Sequence, residues 1–187
     1  FTRGLMKSFA SLNYEEVQQA RDGEPNAKCA PFMDDIIDPL YAAYEAAQIA
    51  RAKRQPLDLD LPERKIVLSD EGQVTSVAIK DRLDAHKLIE EFMILANVAA
   101  AEELGKRKQP LLYRVHEEPA PERLEALREV AQSSGLTLAK GQVLQTRHLN
   151  NLLHQADGGD FVELINMSTL RSMQQAYYYP QNFGHFG

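Results

Sequence analysis

The chain has no tryptophan and a single cysteine among its 187 residues. One thiol excludes an intramolecular disulfide framework and leaves no partner for a thiolate zinc site. Cys29, close to Pro31 in a polar stretch, reads as an inert thiol in a loop, at the surface or half buried, and not as a nucleophile. No run approaches the roughly 18 apolar residues that a helical membrane span needs, and positions 1–9 carry no apolar core with a cleavage site. The expectation is a cytoplasmic protein with no membrane partner. An excess of positive charge is missing as well, since 21 Lys and Arg against 27 Asp and Glu leave a net charge of −6. Proteins that grip nucleic acid through its phosphates usually display a basic face, so charge alone argues against that partner. Walker loops, GxGxxG, GxSxG elbows and HExxH pairs are also absent, which removes sequence support for nucleotide-triphosphate chemistry and acyl transfer.

With 44% hydrophobic and 26% charged residues, the chain has the composition of a globular domain with one sizeable core. It starts without methionine and stops at Gly187 without a polar tail, and the expectation is an internal piece cut at both ends. Asn13 followed by Glu16 is a capping-box pattern, predicting a short helix over 14–21 that ends at Asp22-Gly23. Leu40, Tyr41, Tyr44, Ala47 and Ile49 mark a helix over 38–54, with Pro39 suited to its first turn and Pro56 beyond its end. KIVLS and QVTSVAIK around Asp70-Glu71-Gly72 predict a β-hairpin over 65–69 and 73–80. The strongest helix signal covers 84–104, where Leu88, Ile89, Phe92, Met93, Leu95, Ala96, Ala99 and Ala100 form a wide apolar stripe that should lie centrally, with Gly105 as its stop. A strand over 111–116 and helices over 121–135, 146–155 and 160–176 complete an α+β, helix-rich pattern. Its few strands suggest a short hairpin and a mixed, incomplete sheet.

Several groups with chemical potential have plainer explanations. Asp34, Asp35 and Asp38 resemble a carboxylate metal cluster, but Asp38 precedes Pro39 at a helix start, where an acidic cap is expected. Asp58 and Asp60 read as a solvated face of an extended segment. The histidines at 86, 116, 148, 154 and 185 show no metal-ligand spacing. The basic clusters Arg51-Lys53-Arg54 and Lys106-Arg107-Lys108 sit at predicted helix ends, where they complement the helix dipole. Aromatic side chains remain: a ring on a rigid element can stack a base of any identity. Tyr14 and Tyr113 lie at element ends where such exposure is plausible, although each alone fits a structural tyrosine. Tyr177-Tyr178-Tyr179 reads as packing between a helix and a loop.

The stretches LNYEEVQ, PLYAAYEAAQIARAKRQPLDLDLPERKIVL, RLDAHKLIEEFMILANVAAAE, PLLYRVHEEPAPERLEALRE and LRSMQQAYYYPQNFGHFG, in that order, resemble the ribonuclease II/R family of exoribonucleases, the RNB family, in its alphaproteobacterial form. The resemblance covers nearly the whole chain and is weak only over 141–160. It implies a partial RNB catalytic domain over 1–187, drawn from a monomeric parent that threads single-stranded RNA 3′ end first and hydrolyses it to nucleoside 5′-monophosphates. In the family, Mg²⁺ is held by an aspartate cluster upstream of the LNYEEVQ motif, and an arginine motif follows GHFG; neither lies in this segment. The residues that carry over are the base clamp, with Tyr14 in the first motif and Tyr113 on the later strand. Flanking cold-shock and S1 modules supply much of the RNA affinity in such enzymes, which answers the objection from net charge. One departure stands out: many relatives have a glycine where this chain has Gln55-Pro56. The alternative reading is a non-catalytic RNA-binding or interaction protein on the same fold.

Overall fold

The computed structural model describes residues 2–59, 61, 64–79, 82–141 and 143–187. These form two compact units, 1–50 with 81–99, and 51–80 with 100–187.

In the first unit, α1 (Tyr14–Arg21) begins as its sequence dictates. The Asn13 side chain accepts from the Glu16 amide at 2.7 Å, and the Glu16 carboxylate accepts from the Asn13 amide at 3.1 Å. Two amides that helix geometry would otherwise orphan are thereby satisfied reciprocally. After Gly23, in the left-handed region at φ +102°, the Asn26 side chain holds the amides of Lys28 and Cys29. A 3₁₀ turn, Ala30–Phe32, and a π turn, Met33–Ile37, then run without a break into α2 (Asp38–Arg54). Asp38 is therefore the first residue of a continued helix and not a free cap, and its carboxylate lies 3.6 Å from Arg21. The core of this unit is Ala20, Cys29, Ile37, Tyr41, Tyr44 and Leu88. Cys29 is fully buried, deeper than a loop position suggested, because the 3₁₀ turn after it folds it inward.

α3 (Asp84–Lys106) is two residues longer than its sequence signal. Gly105 lies inside it, and the chain turns off at Lys108, which takes φ +53°. Only Ala85, Leu88 and Glu91 are buried; Ile89, Met93, Leu95 and Val98 of the apolar stripe are exposed. The periodicity thus marks a face able to be buried, of which the turns from Met93 to Ala99 are exposed.

In the second unit, β1 (Arg64–Leu68) and β2 (Val74–Ile79) form the expected antiparallel hairpin, with a bulge between Val67 and Leu68. Lys80, assigned to the second arm from sequence, lies outside the described residues. Every residue of both strands is exposed. The core is built instead by α4 (Pro121–Ser133), α5 (Thr146–Ala156) and α6 (Val162–Ser172), around Leu127, Leu149, Leu152, Leu153, Ile165 and Met173. α6 stops short of the range read from sequence, and Tyr177-Tyr178-Tyr179, expected to be helix-to-loop packing, is instead a strand. Three consecutive tyrosines suit a pleated, half-exposed surface better than a helix. This β4 (Tyr177–Tyr179) pairs antiparallel with β3 (Tyr113–Val115). The α+β, helix-rich class holds; the described strands make two separate antiparallel ribbons, and an isolated parallel bridge between His116 and His185 lies just beyond the second.

The extended link 55–59 is tied to α5. Asn150 donates to the Pro56 carbonyl at 2.9 Å and accepts from the Asp58 amide at 3.0 Å, and the Thr146 hydroxyl donates to the Gln55 carbonyl at 2.7 Å. Gln55 adopts φ +49°. Leu57 and Leu59 pack on the helical core; Asp60 lies outside the described residues. No described helix is long and apolar enough to cross a membrane.

Leu149 and Leu152 are both fully buried where α5 meets its neighbours. Truncating either to alanine is expected to cost about 2–5 kcal/mol, read as a lowered denaturant midpoint. A loss below about 0.5 kcal/mol would mean that the helices do not pack this way in solution.

Candidate functional site

Tyr14 is the first residue of α1, 41% exposed. Its ring stacks on the imidazole of His86, at 4.2 Å between centroids and 25° between planes. Two restraints hold this pair. The capping box fixes the start of α1, and Gln18 accepts from the Ala85 amide at 3.1 Å, tying α1 to the first turn of α3. One face of Tyr14 is therefore backed by His86 while much of the ring stays open. The His86 Nδ1 is buried with no hydrogen-bond partner. Beside the pair lies an apolar cavity of about 650 Å³, with Phe9, Leu12, Val17, Tyr41 and Leu88 in its walls. Burial pushes the Tyr41 and Tyr44 phenols above their ordinary range, with the nearby Asp84 carboxylate adding to it. This arrangement can hold a planar group against an aromatic rim; it offers no nucleophile.

Glu16 links this site to the loop behind it. Lys28 donates to its carboxylate at 2.8 Å, and that bond, followed by the Asn13 amide, holds the Glu16 carboxyl below its usual value. The same contact raises Lys28. Cys29, next in the chain, is pushed up by burial, which suits an inert thiol.

Tyr113, half buried, opens β3 directly opposite Tyr179. Its hydroxyl is 3.8 Å from where a Cβ on Gly105 would stand, so its tip rests against the end of α3. One residue on, the Arg114 guanidinium lies 4.9 Å from the Tyr178 ring centre on the other face of the ribbon. Tyr179 packs against Tyr177 at 6.1 Å and Phe183 at 5.0 Å. Beyond the ribbon, His116 and His185 meet edge to face at 5.1 Å, and the His116 Nε2 lies 2.8 Å from the Gln174 carbonyl. Partial desolvation, then His116 and Arg114, hold His185 below the ordinary histidine value.

Tyr14 belongs to the first unit and Tyr113 to the second, and each has acquired its own aromatic neighbours. His86, Tyr179 and Phe183 were not singled out from sequence as site residues. For His86 no local spacing could do so, because its partner is remote in the chain. For Tyr179 the signal was present, since alternation places it on the Tyr113 face once the tyrosines are read as a strand. Among the described residues, no group of three or more His, Cys, Asp or Glu side chains could hold a metal ion. The remaining histidines are engaged locally: His148 accepts from the Gln145 amide, and His154 meets Asp157.

A model of the RNB domain matches residues 1–187, and the chain belongs to the RNB family, one of metal-dependent nucleases. It is 37% identical over 185 residues to ribonuclease R of Vibrio parahaemolyticus, covering 98% of this chain and 22% of the relative. To ribonuclease R of Escherichia coli it is 34% identical over 189 residues, covering 100% of this chain and 23% of that protein. The chain therefore spans about a quarter of the length of the relatives it matches. Among solved structures, Mycoplasma genitalium RNase R in complex with ribose-methylated single-stranded RNA superposes with a TM-score of 0.77 at 24% identity. That match covers 92% of this chain and 27% of the other. The same protein in complex with double-stranded RNA gives 0.75 at 25% identity, over 92% of this chain and 31% of the other. The resemblance read from the ordered motifs thus extends over the full chain, the weakly matched 141–160 included.

The Glu16 contacts set a pH dependence. A carboxyl held below its unfolded value contributes stability that is complete above that value and is lost as pH falls through the lowered one. Followed by NMR, the Asn13 amide should titrate with a midpoint below 4.5. A midpoint at or above that value would show that Lys28 does not engage Glu16.

Proposed function

We propose that this segment belongs to a processive 3′-to-5′ exoribonuclease that hydrolyses single-stranded RNA to nucleoside 5′-monophosphates, and that residues 1–187 line part of its channel and clamp bases through Tyr14 and Tyr113. The observation that carries the reading is Tyr14: an aromatic ring on a capped helix, backed by His86 and otherwise open, in a chain matched throughout by the RNB domain. Stacking on such a ring is worth about 1–3 kcal/mol per base and is indifferent to base identity, which suits an enzyme that moves along RNA of any sequence. Tyr113 supplies a second stacking ring, on a ribbon anchored by the fully buried Val115. Supporting the RNA partner is the likeness to a ribonuclease R solved with single-stranded RNA.

The ion in this reading is Mg²⁺, which, when bound, would supply activation of water and neutralisation of phosphate charge. The described residues do not fit it. Asp38 faces Arg21, and Asp34 and Asp35 lie in the π turn with no third ligand grouped beside them. The proposal therefore assigns the ligands to carboxylates of the parent protein outside this segment, and the residues here to binding and orienting RNA. The parent is read as monomeric and cytoplasmic.

The test compares the 187-residue chain with a version extended at both ends, on 5′-labelled single-stranded RNA with Mg²⁺. Only the extended form should shorten RNA from the 3′ end to mononucleotides, and EDTA should stop it. EDTA-sensitive degradation by the short chain would overturn the assignment of the ligands; an extended form that binds RNA without cutting it would favour the non-catalytic reading. In the extended form, Tyr14→Ala and Tyr113→Ala should each weaken RNA binding by about fivefold or more. Unchanged binding in both would leave a plain scaffold.

A further inference from the structure

The β3–β4 ribbon has an aromatic face that the clamp reading leaves unused. In an antiparallel pair, directly opposed residues project to the same side and neighbours along a strand to opposite sides. Tyr113 and Tyr179 therefore share one face with Val115 and Tyr177, while Arg114 and Tyr178 occupy the other, as the guanidinium lying over the Tyr178 ring attests. Along the first face burial changes steadily. Val115 is fully buried and anchors one end, Tyr177 and Tyr113 are half buried, and Tyr179 is exposed at the open end. Phe183, 57% exposed, folds back on Tyr179 with ring centres 5.0 Å apart and planes tilted by 32°. Tyr179 thus stands on a hydrogen-bonded, anchored ribbon directly across from Tyr113, with the exposed Phe183 ring against it.

The charge next to this face has the sign that a nucleic acid needs. The Tyr113 hydroxyl rests against Gly105, and the next three residues are Lys106, Arg107 and Lys108, all exposed. Arg107 is paired with Glu103, whereas Lys106 and Lys108 extend the basic end of α3 one and three residues past Gly105. Complementing the helix dipole explains one such residue in the last turn; Lys108 lies past the helix, where that effect fades. An aromatic surface bordered by cations on a net-negative chain favours a polyanion carrying planar groups over an apolar peptide or a second copy of this chain.

We propose that Tyr179 and Phe183 form a second base-stacking site, which takes an unpaired nucleobase adjacent to the one on Tyr113, with Lys106 and Lys108 facing the intervening phosphates. The site rests on the reading of Tyr113 as an RNA contact and extends it from one nucleotide to two.

The experiment uses the full-length parent protein in EDTA, so that RNA is bound but not cut, and 5′-fluorescein single-stranded oligoadenylates in which a single abasic nucleotide is moved stepwise along the strand. Tyr179→Ala and Phe183→Ala should each weaken binding of the intact RNA about fivefold. That penalty should vanish for one abasic position, next to the position that abolishes the Tyr113→Ala penalty. Tyr179→Phe should bind within about twofold of the wild type, because it keeps the ring. Replacing Lys106 and Lys108 together by alanine should reduce the slope of log affinity against log salt by about one to two. A Tyr179→Ala penalty that persists at every abasic position would assign the ring to folding and overturn the proposal. A penalty for Tyr113→Ala with none for Tyr179→Ala or Phe183→Ala would overturn the second site and leave the clamp standing; no penalty for any of the three would overturn both.

Discussion

The seam where α6 meets α4 and α5 is the packing on which most of the second unit depends. Leu149, Leu152 and Ile165 have lost essentially all of their exposure there, and each is worth about 1.5–3 kcal/mol in transfer from water. The seam also positions parts that are not themselves apolar. The Arg123 guanidinium on α4 donates to the Met173 carbonyl just past α6, and His116 reaches the Gln174 carbonyl one residue later. Those contacts set the chain's direction where it enters β4, and hence where the ribbon's rings emerge. The link 55–59 is tied down by polar side chains of the same α5, so one helix serves as both core and scaffold.

The first unit depends on a smaller device. Its core is modest and partly aromatic, and its site is oriented by polar ties at the helix starts. Asn13 and Glu16 fix where α1 begins, and Gln18 brings it to the first turn of α3, so Tyr14 and His86 meet face to face. Helix N-termini carry unsatisfied donors that must find partners in any case, so meeting that requirement also orients a ring without a dedicated element.

Local signals were legible where the physics is local. The box Asn13-Glu16, Pro39 in the first turn and Pro121 at a helix start gave α1, α2 and α4 starts that match the structure. Where packing decides, sequence was a poorer guide. The stripe on α3 reports which face could be buried, and whether it is depends on what lies against it. The tyrosines at 177–179 were misread because their partner strand lies far away in the chain, and only the pairing with Tyr113, Arg114 and Val115 makes them a strand. Residue chemistry alone gave Tyr14 and Tyr113 no more than exposed aromatic candidates; their reading as a clamp came from motif order. His86 was invisible as a site residue because a stack between two helices leaves no spacing to read.

Gln55 places a strained backbone at the start of the link. Its φ of +49° lies in the left-handed region, where a side chain costs about 1–2 kcal/mol and glycine almost nothing. The following proline further disfavours helical backbone at this position. A glycine here would meet that geometry with a floppier unfolded chain, whereas Gln55-Pro56 meets it with strain in the folded state and fewer conformations to lose on folding. The Thr146 hydroxyl on the Gln55 carbonyl and the Asn150 side chain on the Pro56 carbonyl hold the strained turn in place. A glycine and the Gln55-Pro56 pair would thus load opposite sides of the folding equilibrium.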